Sequence, residues 1–93
     1  MLSDEQVKAV ILLKLHKRGN WGGSHTAFHN LKKGWKDADL GKHGLKRVEK
    51  LAEELVRQGL IILKLTHYGP QVSLNPRQHE AIINLMRKFF PEV

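Results

Sequence analysis

The side chains of this 93-residue chain that could do chemistry are six histidines, nine Asp and Glu, and sixteen Lys and Arg. Cysteine is absent, which removes thiolate zinc sites, cysteine nucleophiles and disulfides. His25 and His29 stand four apart, a spacing that sets two imidazoles on one face of a helix. No adjacent Asp, Glu or Cys completes a metal set, because Asp37 and Asp39 lie across a connecting segment. Ser3, Ser24 and Ser73 fall at a helix cap, a helix start and a strand face, and the carboxylates are scattered at caps and on helix surfaces. Without a nucleophile–base pair or a carboxylate pair, the expectation is a chain with no catalytic residue, metal or cofactor, hence not an enzyme.

Positive charge is the stronger signal. The net charge is +7, and a domain this basic attracts polyanions, with nucleic acid first and an anionic membrane surface second. Three places concentrate the candidate contacts. Lys42, His43, Lys46, Arg47 and Lys50 lead into a long amphipathic segment; Lys32, Lys33 and Lys36 precede it; Lys64, His67, Tyr68 and Gln71 surround a turn further on. Lys46 and Lys50 are a like-charge pair at helical contact spacing, mildly unfavourable without an anion nearby. Glu49, Glu53 and Glu54 sit toward the second half of that segment, so only Lys42 to Lys50 offers a surface for phosphates. The competing reading is a solvated face laced by Lys46–Glu49 and Lys50–Glu53 pairs.

The elements that must position these residues follow from capping and periodicity. Ser3-Asp4-Glu5-Gln6 is a capping box opening a helix that ends near Lys17-Arg18, with Gly19 as its stop. That helix carries Leu12 and Leu13 outside its main stripe of Val7, Val10, Ile11 and Leu15, so it needs cover on more than one side. Asn20–Ser24 reads as a turn or short edge strand. A second short helix is expected from about Thr26 to Lys33, with Ala27, Phe28 and Leu31 inward, and Trp35–Gly44 as a connection with room for a turn of helix. Leu45, Val48, Leu51, Ala52 and Leu55 then form one stripe of a third helix that Gly59 stops. The period changes to two: Leu60–Thr66 is a strand, His67–Pro70 a turn, and Gln71–Leu74 the return strand. Asn75 caps a last helix with Pro76 in its first position, a stripe of Ile82, Ile83, Met86, Phe89 and Phe90, and Pro91 as its end.

Leu55-Val56-Arg57-Gln58-Gly59-Leu60-Ile61 resembles the junction from recognition helix to wing in winged-helix proteins. His67-Tyr68-Gly69-Pro70-Gln71-Val72-Ser73-Leu74-Asn75-Pro76 looks like the wing tip, return strand and final cap of small archaeal winged-helix regulators. The resemblance covers roughly Leu45–Ile82; the connection before the third helix is longer than the three or four residues of a compact helix-turn-helix. It implies a single α+β, mostly helical winged helix-turn-helix domain over 1–93: a three-helix core, a two-stranded wing and an extra C-terminal helix. It also implies sequence-specific binding of double-stranded DNA by a transcriptional regulator, the third helix in the major groove and the wing on the backbone. On that view Lys46 and Arg47 take guanine edges, Lys42 and Lys50 hold phosphates, and His43 does either. Lys32, Lys33 and Lys36 add phosphate contacts, as do Lys64, His67, Tyr68 and Gln71 in the wing.

Leu12, Leu13, Phe89 and Phe90 exceed what a small core uses, so a homodimer through the first and last helices is expected. The apolar runs Val10–Leu13 and Leu60–Leu63 are too short to span a bilayer, and Asp4 and Glu5 stand where a leader would be basic. A cytoplasmic protein without membrane contact is the expectation. Two other functions share the same basic surface: an RNA- or ribosome-associated winged helix, and a protein-interaction winged helix.

Overall fold

A computed structural model describes residues 1–93. The capping box forms as the sequence requires: Gln6 N–H donates to Ser3 Oγ at 3.1 Å and Ser3 N–H donates to Gln6 Oε1 at 2.8 Å. Helix α1 (Asp4–Lys17) follows, and it is buried round most of its circumference through Val7, Ala9, Ile11, Leu12 and Leu15. Leu12 is wholly buried, so the dimer surface expected through it and Leu13, Phe89 and Phe90 loses Leu12 to the core. The other three are only partly exposed, with Leu13 packed against the core.

The helix expected over Thr26–Lys33 does not form. Thr26–Ala27 is instead a short strand, β1, and Phe28–Lys32 is a 3-10 turn. Backbone groups at Thr26 and Ala27 pair with Val72 and Gln71, and no side chain caps the turn. Thr26 Oγ1 accepts a 2.7 Å bond from Asn30 Nδ2, a local bond that favours a turn over a helix here. The following segment is more ordered than a connection. Lys36 N–H donates to Asp39 Oδ2 at 3.2 Å, opening the one-turn helix α2 (Asp37–Leu40), which runs into a 3-10 turn, Gly41–His43.

Helix α3 (Leu45–Arg57) buries Val48, Leu51, Ala52 and Leu55 as its periodicity predicts, whereas Leu45, in its first turn, is 46% exposed. Gly59, at φ 79°, adopts the left-handed stop. Strands β2 (Ile61–Thr66) and β3 (Gly69–Leu74) form a hairpin whose turn is only His67-Tyr68; Gly69 and Pro70 already belong to the return strand. The sheet has three strands, order β1-β3-β2, all antiparallel, so the hairpin is not the two-stranded unit expected. Gly22 N–H donates to Leu74 O at 2.9 Å and Leu74 N–H to Asn20 O at 2.8 Å, covering the rest of β3's outer side. β2 is left as an open edge.

Asn75 joins two elements at once. Its Oδ1 accepts from Arg77 N–H at 3.1 Å and its Nδ2 donates to Gly59 O at 2.8 Å, fixing the end of α3 to the start of the last helix. A 3-10 turn over Pro76–Gln78 leads into α4 (His79–Arg87); Phe89 and Phe90 lie beyond its end. Fifteen side chains from α1, the Phe28–Lys32 turn, α2, α3, β2, β3 and α4 make one core. The result is an α+β fold of four helices and a three-stranded antiparallel sheet, compatible with a winged-helix-like arrangement. No helix is long and apolar enough to cross a membrane.

Candidate nucleic-acid interface

The first half of α3 and the turn before it carry a row of exposed cations. Lys42 and His43 stand on the Gly41–His43 turn, and Lys46 and Lys50 follow at successive four-residue steps, all exposed. None of the three lysines pairs with a carboxylate. The helix-internal pairs Lys46–Glu49 and Lys50–Glu53 do not form. Glu49 is instead bonded by Lys32, and Glu54 lies 3.8 Å from Lys8, so two α3 carboxylates tie α3 to its neighbours.

Arg47 departs from the expected role. Its Nη2 donates to Leu2 O at 2.6 Å and to Asp4 Oδ1 at 2.8 Å, Nε donates to the same carboxylate oxygen at 3.1 Å, and Nη1 lies 3.4 Å and 3.5 Å from Asp39 O and Leu40 O. Only 11% of its side chain is exposed. The guanidinium thus clamps α3 to the start of α1 and the end of α2, and it has no free fork to offer a base edge. Hydrogen bonding from Arg47, and then its positive charge with those of Lys50 and Lys8, holds the Asp4 carboxyl below its ordinary value. A signal for this was present: Arg47 is four residues before Leu51 and eight before Leu55, so it continues the buried row.

Lys42, His43, Lys46 and Lys50 line one groove of about 610 Å³, together with Asp4, Arg47, Met1, Leu40 and Leu51. The last three were not anticipated as neighbours of the lysines. They meet there because Arg47 draws the chain before α1 across α2. Gly41, at φ 73°, lies beneath the exposed Met1 side chain; its backbone conformation suits glycine.

The second basic cluster is dispersed. Lys32 is bonded to Glu49 and sits 6.0 Å from the Phe28 ring centroid. Lys33 is exposed, with its carbonyl accepting from Lys14 Nζ at 2.7 Å. Lys14 lies 5.2 Å over the Trp35 ring, and burial lowers its pKa, with a smaller push from Arg18. Lys36 is exposed at the start of α2; it and Lys32 line a separate hollow of about 180 Å³. At the hairpin, Lys64, His67 and Tyr68 are exposed and Gln71 is half-buried across from Lys64. Tyr68 is 93% exposed and does not pack on its own turn. The unanticipated feature there is apolar: Ile62, Leu63 and Leu65 are 39%, 42% and 78% exposed on the open edge strand.

His25 and His29 share no helix, since one precedes β1 and the other lies in the 3-10 turn. No three His, Asp or Glu side chains come together to hold a metal ion. Comparison with protein-family models, curated proteins and solved structures finds no match to this chain.

Proposed function

We propose that this chain is a winged helix-turn-helix domain that binds duplex DNA sequence-specifically as a transcriptional regulator, with the first half of α3 in the major groove. One observation carries the reading: Lys42, Lys46 and Lys50 project from one side of α3 and its leading turn without a carboxylate partner. Unpaired cations repeated at this spacing favour a polyanion over a solvated ion-pair face. The order of elements is compatible with it, since the hairpin of β2 and β3 follows α3 directly. Arg47 is left out of the reading surface because it is engaged within the fold. Lys46 is the candidate for a base edge, with Lys42 and Lys50 on phosphates and Lys64 and His67 on the flanking backbone.

Mobility shift on duplex DNA, hairpin RNA and no nucleic acid, over a salt series, tests this directly. Lys46→Glu with Lys50→Glu abolishes the duplex shift while helical circular dichroism stays unchanged. If the wild-type chain fails to shift any duplex at low salt, the reading is wrong. The apolar edge of β2 favours a second reading, a protein-interaction winged helix that receives a partner's strand there. Under it, Leu65→Lys removes the interaction and the α3 lysines do not matter.

A further inference from the structure

The groove beside α3 has a chemistry that a DNA backbone alone does not use. Met1, Leu40 and Leu51 line it, and the latter two are core side chains at 3% and 2% exposure, so the groove ends on the core itself. Its electrostatics are one-sided. Asp4 is the only carboxylate lining it, and Arg47 holds that carboxylate at 2.8 Å and 3.1 Å. Lys42, Lys46 and Lys50 remain, an uncompensated charge of three beside apolar walls. Walls of low dielectric strengthen the field of such cations, and 610 Å³ lies within the span of small-ligand sites.

We propose that this groove binds a small amphipathic anion: a carboxylate or phosphate monoester carrying a short aliphatic or aryl body. The charged head takes Lys46 and Lys50, and the body lies on Met1, Leu40 and Leu51 and along the lysine stems. This binding needs no DNA. Where the chain binds DNA as proposed above, the anion displaces it, because both claim the same lysines.

Isotope-labelled chain of residues 1–93 is titrated with butyrate, hexanoate, octanoate and octyl phosphate, and with inorganic phosphate and octylammonium as comparators. Amide shifts are expected to centre on residues 40–51. Affinity should rise about two- to four-fold per added methylene. It should fall about tenfold in Lys46→Gln with Lys50→Gln, whose exposed positions leave the fold intact. Octanoate against octyl phosphate tells which head group the lysines prefer. Inorganic phosphate binding as tightly as octyl phosphate overturns the proposal, as does octylammonium matching octanoate. So does the lack of any saturable shift at ligand concentrations on the order of 10 mM, where contacts of this kind are readable. Competition with a bound duplex is a separate measurement: retention of the duplex at saturating anion refutes shared use of the lysines, and absence of duplex binding counts against the proposed function alone.

Discussion

Arg47 spends its guanidinium on four backbone or carboxylate oxygens, and removing it takes a donor from each, although Asp39 O keeps the Leu2 N–H at 2.9 Å and Asp4 is exposed to solvent. Arg47→Ala should therefore lower stability by about 2 kcal/mol, read by thermal denaturation, and Arg47→Lys should recover little because a point charge cannot span those oxygens. The same interaction sets a pH dependence. Asp4 has a lowered carboxyl pKa in the folded chain, so its contribution is present above the ordinary carboxylate value and is lost as pH falls through the lowered one. Melting temperature followed from about pH 6 to pH 2 should fall more shallowly in Asp4→Asn than in the wild type. An equal slope in both would show that the Arg47–Asp4 bond carries no linkage. Ser73 is the opposite case: its hydroxyl is fully buried with no hydrogen-bond partner. Ser73→Ala should stabilise the fold by up to about 1 kcal/mol, and a loss of stability would reveal a bond that the hydroxyl makes.

Elements were legible in proportion to how far their signals were local. The α1 capping box, the α3 stripe and its Gly59 stop, and the Asn75 cap all depend on residues within a turn of each other, and they form, except that Leu45 of the stripe is exposed and Asn75-Pro76 opens a 3-10 turn ahead of α4. Thr26–Lys33 failed because its structure is decided by Gln71 and Val72, some forty-five residues away, which draw Thr26 and Ala27 into a sheet. The candidate site divides the same way. Lys42, His43, Lys46 and Lys50 were readable from helical spacing, whereas Met1, Leu40 and Leu51 join them only through a tertiary crossing. The excess apolar residues of α1 signalled that it needs cover on several sides, but not whether that cover comes from this chain. The fold supplies it. Leu12→Ala should accordingly cost about 3 kcal/mol in chemical denaturation, the range for a filled core site; a cost below about 1 kcal/mol would mean a surface position.

At the scale of the molecule, charge is carried without much internal compensation. Four ion pairs engage Lys8, Lys32, Arg47 and Lys88, and the cations at 42, 46 and 50 stay outside them. If a duplex covers those three, binding weakens steeply with salt. Replacing Lys42 and Lys50 with Gln should make the log–log salt slope shallower by about 1.8, that is, about 0.9 for each phosphate no longer neutralised. An unchanged slope would place the phosphate-binding cations elsewhere. The class of fold was readable at this scale because helix and strand periods alternate clearly along the chain; the third strand and the open β2 edge were not, since neither is a property of any one segment.

The burial of α1 has a bearing on how the chain is made. This helix comes early in the chain, yet what covers it comes late: α3, β3 and finally α4, whose Ile82 and Met86 close the core. During synthesis α1 thus lacks part of its cover until the residues of α4 have left the ribosome. Its full protection waits on the arrival of that helix. A ribosome-stalled chain ending at residue 78 should remain open to protease within α1, and one extended past residue 93 by a tether long enough to clear the exit should be protected there.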